Sequence, residues 1–442
     1  MTSSINIFRE LIKYLLQEVQ TSGKHVRKSS DFTHSTNLTF DKTFLCILTN
    51  ISRTIPLELY GWYGQFTDQQ PVVTPSAFCQ ARQKLKASAF VEVLTHFVRR
   101  VYHGDMTASD LATWRKYLVL AVDGSKFDLP DTTEVIDAYG GQVNQYGTVA
   151  MANVHARFDV LNGLPYDVSL NPYKSSERTN AIEQLASLAD LPLPSISLYD
   201  RGYPSASFAY MHQHLGLKYV IRTKLKFNKV ITAFYESGAT DELVTFTLNH
   251  SHKKELAEQG ISVKANDTFT VRLVRITLPD GTPEILMTNL WASEDITVAD
   301  LAELYGMRWV IETFFDRLKN LYRGMVFSSR LVNGVEQEFY GLILLYFLNA
   351  FVIKSCASMV KQVNDRRTKT YQINHNTALG FLKLFLIPLM YSPNSDELLG
   401  ALRHLFVQHL VIKEHKPRDP KKARIKIKRR KNTSTKNSAY SV

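Results

Sequence analysis

Residues 117–122 read Tyr-Leu-Val-Leu-Ala-Val, an apolar run without alternation that stops at Asp123-Gly124. A strand with no polar face has both faces covered, and in α/β proteins helices do the covering. The run therefore predicts a buried strand inside a helix-covered sheet, ending in a turn at Asp123. Residues 149–158 and 164–170 flank Asn162-Gly163, a strong short-range hairpin signal. A helix over about 177–189 carries Ile182, Leu185 and Leu188 on one face. Residues 195–199 form another apolar run ending at Asp200, then a helix led by Pro204 leads to a strand at 218–222. Three adjacent strands followed by alternating helices and strands imply an α/β fold with a mixed sheet flanked by helices.

Further along, Phe269, Val271 and Leu273 alternate with Thr270 and Arg272, and Asp280-Gly281 marks a turn. This predicts a β-rich insertion over about 223–283. Strand character returns at 284–290, and a long helix is expected from Thr297, capped with Asp300, to Tyr322, with Gly324 as its stop. Helices continue from about 325. Among them, the apolar run 339–353 is too short for a membrane span, which needs about 20 apolar residues, and reads as a buried core helix. At the other end, Ile5, Phe8, Ile12, Leu15 and Val19 recur at helical spacing while Arg9, Glu10 and Lys13 interrupt the apolar character, so the start is an amphipathic helix and not a secretory signal. Thr74-Pro75 opens another helix. The division that results is 1–112, a helical N-terminal domain; 113–410, the α/β domain; and 411–442, a disordered basic tail.

Charge supports that division. The chain has 53 Lys plus Arg against 41 Asp plus Glu, a net of +12, but residues 411–442 alone hold twelve basic residues and two acids. The body is nearly neutral, and the tail is suited to sequence-independent phosphate binding. Basic residues also recur in the N-terminal segment, at Arg82, Lys84, Lys86, Arg99 and Arg100. Both a DNA-contacting surface and an ordinary solvated helix face fit them. Three separated cysteines exclude a disulfide framework and a Cys-rich zinc site, and suit a reducing cytoplasm. Without further ligands at usable spacing, His250 with His252 and His212 with His214 read as surface histidines, and Asp128, Asp131 and Glu134 as loop acids. Trp291 reads as a core or interface residue, with stacking on a displaced base as its other use.

The chemistry concentrates in three places. Asp123 and Asp200 stand at the ends of apolar strands, where buried sheets expose polar groups to a crevice. Either alone reads as a turn aspartate. The long helix adds Tyr305, Arg308, Glu312 and Lys319, which fall within roughly 40° of Glu312 at about 100° per residue. Asp316 lies near the same stripe, so helical geometry alone does not choose between the two acids. Trp309, Val310, Phe314, Phe315 and Leu318 occupy the other faces, and a charged stripe on a mostly buried helix lines a cleft.

Together Asp123-Gly124-Ser125, Asp200-Arg201-Gly202-Tyr203 and the series Tyr305, Arg308, Glu312, Lys319 resemble the three signature blocks of bacterial insertion-sequence transposases of the DDE class, the cut-and-paste family with a Y-R-E-K helix. The resemblance implies a ribonuclease-H-like core in which Asp123, Asp200 and Glu312 hold two Mg²⁺ or Mn²⁺ ions, hard cations suited to carboxylates. It makes Asp123 the ligand shared by both ions. It further implies that Arg308 and Lys319 contact phosphates of the element's end and that Tyr305 positions the DNA terminus. Arg201 and Tyr203 are secondary DNA contacts or structural residues of their turn. A single carboxylate triad would then cut the inverted-repeat ends and join them to target DNA, in a homodimer on double-stranded DNA in the bacterial cytoplasm, at the nucleoid and away from membrane. The alternative is an inactive, transposase-derived DNA-binding repressor.

Overall fold

The computed structural model describes residues 7–34, 36–49, 55–64, 73–104, 110–145, 147–264, 266–278, 280–321 and 326–413. The chain divides into two compact units. One comprises 1–101, 126–152 and 316–442; the other comprises 102–125 and 153–315. The helical segment 1–101 thus shares a unit with the chain beyond 315, where the linear reading set it apart.

The chain forms a mixed sheet, most of whose residues belong to the second unit. Its strands are β1 (Leu118–Asp128), β3 (Gly147–Asp159), β4 (Leu164–Pro172), β5 (Ser195–Tyr199), β6 (Lys218–Thr223), β7 (Asp241–Thr247), β8 (Thr268–Thr277) and β9 (Pro283–Thr288), after a short β2 (Gly141–Asn144). The order is β4-β3-β1-β5-β6-β9-β8-β7, with β1, β5 and β6 parallel and β6, β9, β8 and β7 antiparallel. The first five positions follow the ribonuclease-H-like arrangement. Gly163 takes φ +70 between β3 and β4, a conformation that glycine reaches without steric cost, so the Asn162-Gly163 signal fell at the observed turn.

Three local expectations change. The run 117–122 is buried as expected, but β1 continues to Asp128, so Asp123 lies within a strand and not at a turn. Segment 223–283 supplies β7 and β8 at the sheet edge, together with helices Lys229–Ser237 and His250–Glu258 that the alternation did not reveal. Arg272, on the polar side of that alternation, is buried, because Asp241 pairs with it at 2.7 Å and the Leu290 and Ile296 carbonyls accept from it.

The Thr297 and Asp300 capping box opens helix Val298–Gly306 as expected. Its apolar side, Leu301, Leu304 and Tyr305, packs on Val119, Ile196, Leu198, Val220 and Leu286 of the sheet. Each such side chain contributes about 1.5–3 kcal/mol by leaving water, enough to fix which way the helix faces. After Gly306 the chain tightens into a 3₁₀ turn, Met307–Trp309, before helix Val310–Asp316. Three residues at about 120° instead of 100° rotate the later part by roughly 60° against a uniform helix. Trp309 and Val310 are consequently exposed, at 41% and 38%, contrary to expectation, while Ile311, Phe314 and Phe315 are buried.

In the first unit, Phe8, Leu15 and Val19 are buried along the N-terminal helix, as its spacing predicts, and Leu11 is buried with them, while Ile5 and the side chain of Ile12 lie outside the described residues. Thr74 caps helix Pro75–Lys84. The run 339–353 lies in helix Val332–Ser355, which is long and apolar enough to cross a membrane by length and composition. Its most apolar window is 72% buried, the environment of a core helix. Arg82 is no surface cation: Glu338 pairs with it at 3.0 Å and Gln337 and the Gly334 carbonyl accept from it. Val411 and Ile412, assigned to the tail, pair with Gln372 and Tyr371 in a small antiparallel ladder. Residues 414–442 of the tail, and Tyr322 and Gly324 at the expected end of the long helix, lie outside the described residues.

Candidate active site

Strand register places the two aspartates. Val122 on β1 lies opposite Tyr199 on β5, and Tyr199 lies opposite Ile221 on β6. The next residues on the three parallel strands are Asp123, Asp200 and Arg222, so the apolar runs end level and present three charges along one edge. Helix Val298–Gly306 and the turn after it bring Tyr305 and Arg308 to the same place. The Tyr305 hydroxyl donates to Asp200 Oδ1 at 3.4 Å. Arg308, only 2% exposed, reaches Asp123 Oδ2 at 3.8 Å and Glu312 Oε1 at 3.6 Å. Its guanidinium also lies 5.7 Å from the Tyr305 ring and 4.7 Å from the Trp309 ring.

The charges shift one another. Burial pushes the Asp123 carboxyl up to about 6; the Gly124 N–H and Arg308 pull it down, and Glu177 and Asp200 push it further up. Burial opposes the charge on Arg308, but Tyr305, Asp200, Asp123 and Glu312 outweigh that and raise its pKa. Among the described residues, no three carboxylate, imidazole or thiol groups are gathered closely enough to share a cation as they stand. The Arg308 guanidinium lies among the acids instead. The donor set is nonetheless of the kind a hard dication takes: carboxylate oxygens, one of them on a half-buried Asp123 whose charge is disfavoured by two neighbouring acids. The residues present fit divalent-cation binding.

The sequence missed three participants. Arg222 contacts Asp200 Oδ1 at 3.5 Å and Glu284 Oε1 at 2.5 Å. Arg222 carried the same signal as the aspartates, a charge closing an apolar strand. Glu284 sits at the start of β9 with 4% of its side chain exposed, and burial pushes its carboxyl up while Arg222 pulls it down. Glu177 opens a short helix capped by Ser176, a position where an acid needs no explanation beyond the helix end.

The remaining expected residues are placed differently. Arg201 is exposed; Tyr203 is buried, at 1%, and turned inward beside Tyr199 and His155. A buried phenol offers no direct contact to DNA, so the structural side of the Arg201 and Tyr203 reading applies to Tyr203. Lys319 belongs to the first unit, half-buried, with its ammonium 5.0 Å from the Phe127 ring. His212 is fully buried and bonded to the Tyr199 hydroxyl at 3.0 Å, not a surface histidine.

Residues 114–348, spanning β1 to the middle of helix Val332–Ser355, match the family described as "Transposase DDE domain". The chain belongs to that family. Within it, the chain is similar to the transposase InsG for insertion sequence element IS4 of Escherichia coli (strain K12), at 25% identity over 302 residues. That alignment covers 66% of this chain and 64% of the relative, so the chain spans somewhat under two thirds of that transposase's length. A solved structure described as the piggyBac transposase synaptic complex with hairpin DNA aligns with 92% of this chain and 85% of its own, at 10% identity and TM-score 0.45.

Proposed function

We propose that the chain is a DNA transposase that cuts the ends of its own insertion sequence and joins them to target DNA, with Asp123, Asp200 and Glu312 holding the divalent cations. The observation that carries this reading is the parallel register that sets Asp123 beside Asp200, with the helix bearing Arg308 and Glu312 brought against them. Two bound Mg²⁺ or Mn²⁺ ions would supply activation of the attacking oxygen and stabilisation of the leaving one.

The chain's own residues would do the rest. Arg308 holds Asp123 and Glu312 in the absence of other cations, and its planar fork suits a backbone phosphate in the same position. Tyr305 and Arg222 fix Asp200 from two sides, one by a hydrogen bond and one by charge. Arg201, exposed next to Asp200 in sequence, would be a secondary contact to the DNA backbone, and Lys319 would supply a point charge to a phosphate of the element's end. Double-stranded DNA is the partner class, with a homodimer as the assembly that pairs two ends.

The test is to incubate purified chain with Mg²⁺ and a linear duplex carrying the inverted repeats that flank its gene. Nicked ends, hairpins or joined products are expected, and Asp123→Ala should abolish all three. No product with any divalent metal would overturn the proposal and leave a DNA-binding protein without catalysis. Cleavage retained by Asp123→Ala would remove the assignment of the triad.

A further inference from the structure

The two aspartate segments share a third acid. The Glu177 side chain lies flat against Gly124: a Cβ built on that glycine would sit 2.5 Å from Glu177 Oε1 and 2.7 Å from its carboxyl carbon. The other carboxylate oxygen is 3.9 Å from the corresponding position on Gly202. Gly124 follows Asp123 and Gly202 is two residues past Asp200, so the Glu177 carboxylate occupies space that Gly124 leaves by carrying no side chain and reaches ordinary contact distance of the Gly202 position. Any side chain at 124 would fill the cradle. The Tyr203 hydroxyl adds a separate sign of a missing ligand. It is buried, has no hydrogen-bond partner among the described residues, and lies within electrostatic reach of Glu177 and Asp123. A buried hydroxyl left unpaired costs about 1–3 kcal/mol, and water held on a cation between those acids is a partner it could take.

We propose that Glu177 is a fourth carboxylate of the divalent-cation site, a ligand alongside Asp123 and Asp200. This rests on the metal-dependent reading above and assigns a ligand that the three signature blocks do not contain. It also gives Gly124 a reason beyond backbone shape: the glycine admits the Glu177 carboxylate to the site.

Titration of the full chain with Mn²⁺, followed by calorimetry and by loss of the free-ion electron paramagnetic resonance signal, tests it. Glu177→Gln should weaken Mn²⁺ binding about tenfold or more, without weakening DNA binding measured in EDTA or lowering the melting temperature. Gly124→Ala should weaken the metal similarly by displacing the carboxylate, and Glu177→Asp, which keeps the charge, carries the test if the Gln variant melts early. Asp123→Asn is the reference arm. If it weakens Mn²⁺ binding while the Glu177 and Gly124 variants titrate as wild type, Glu177 is no ligand and the triad stands. If the wild-type chain takes up no Mn²⁺, both this inference and the metal-dependent reading fall.

Discussion

The Asp123 carboxyl stands where a buried strand first meets polar surroundings, and burial, with Glu177 and Asp200 nearby, lifts its pKa from 3.8 to about 6. The folded state therefore binds the proton more tightly than the unfolded chain, so this group's contribution is present at low pH and is lost as pH rises from about 4 through 6. At pH 7.5 the chain carries the charge at a cost of at most about 3 kcal/mol, taking about 1.4 kcal/mol per pKa unit. Asp123→Asn keeps an oxygen for the Gly124 N–H, which donates to Asp123 Oδ1 at 2.9 Å, and removes the charge. It is expected to abolish cleavage while raising the melting temperature at pH 7.5 and leaving it nearly unchanged at pH 4. Scanning calorimetry at the two pH values checks this. A melting temperature lowered equally at both would mean that the carboxylate is not held against its preference.

At the scale of single elements, buried polar groups tie helices in place. Helix Ala206–His214 carries His212, fully buried against Tyr199 and the Phe208 carbonyl, and burial pushes its pKa down to about 3. The unfolded chain protonates it near 6.5, so stability falls as pH is lowered from about 6.5 toward 3, by up to about 1.4 kcal/mol per unit. His212→Gln should show a flatter fall in chemical-denaturation midpoint between pH 6.5 and 5 than wild type; equal slopes would show that His212 does not drive acid unfolding. In the helical unit, Arg82 joins helix Pro75–Lys84 to helix Val332–Ser355 through Glu338, Gln337 and Gly334. Arg82→Met removes a counter-charge from the buried Glu338, which keeps the Ser328 and Ser329 N–H donors, and should cost about 3–5 kcal/mol in urea unfolding. Adding Glu338→Gln should recover part of that, a coupling of ~1 kcal/mol or more, whereas simple additivity would deny the pair its role.

For the whole molecule, the charge that makes the chain basic lies almost entirely in residues 411–442. Each phosphate those residues neutralise should steepen the salt dependence of DNA binding by about 0.9 log units per log salt. Truncation after Leu410 is therefore expected to flatten the slope measured by filter binding and to leave cleavage of bound ends intact. An unchanged slope would show that the tail takes no part in binding. The charges near the aspartates act on a different scale. Arg308 and Arg222 are held by acids within about 4 Å of them, where salt screening is weak, so binding at that edge is expected to depend on shape and phosphate geometry more than on ionic strength.

Local sequence determined what depends on neighbours along the chain: the apolar strands at 117–122 and 195–199, the Asn162-Gly163 turn, the Thr297 cap and the helical phase of Phe8, Leu15 and Val19. These follow from side-chain period and backbone preference within a few residues. The family's residues were legible for the same reason, since its blocks are short and linear. Tertiary structure decided everything that depends on register or burial. Asp123 proved to lie inside a strand, and it meets Asp200 because β1 and β5 pair in parallel with their apolar runs level. Arg82, Arg272 and His212 looked like surface residues and are buried, because partners distant in sequence satisfy them or surround them, and Tyr203, open to either reading, is buried too. Glu177 gave no signal beyond an acid at a helix start, since its meaning lies in the space left by Gly124, 53 residues before it. Chain spacing carries no record of a side chain fitting into a gap made elsewhere.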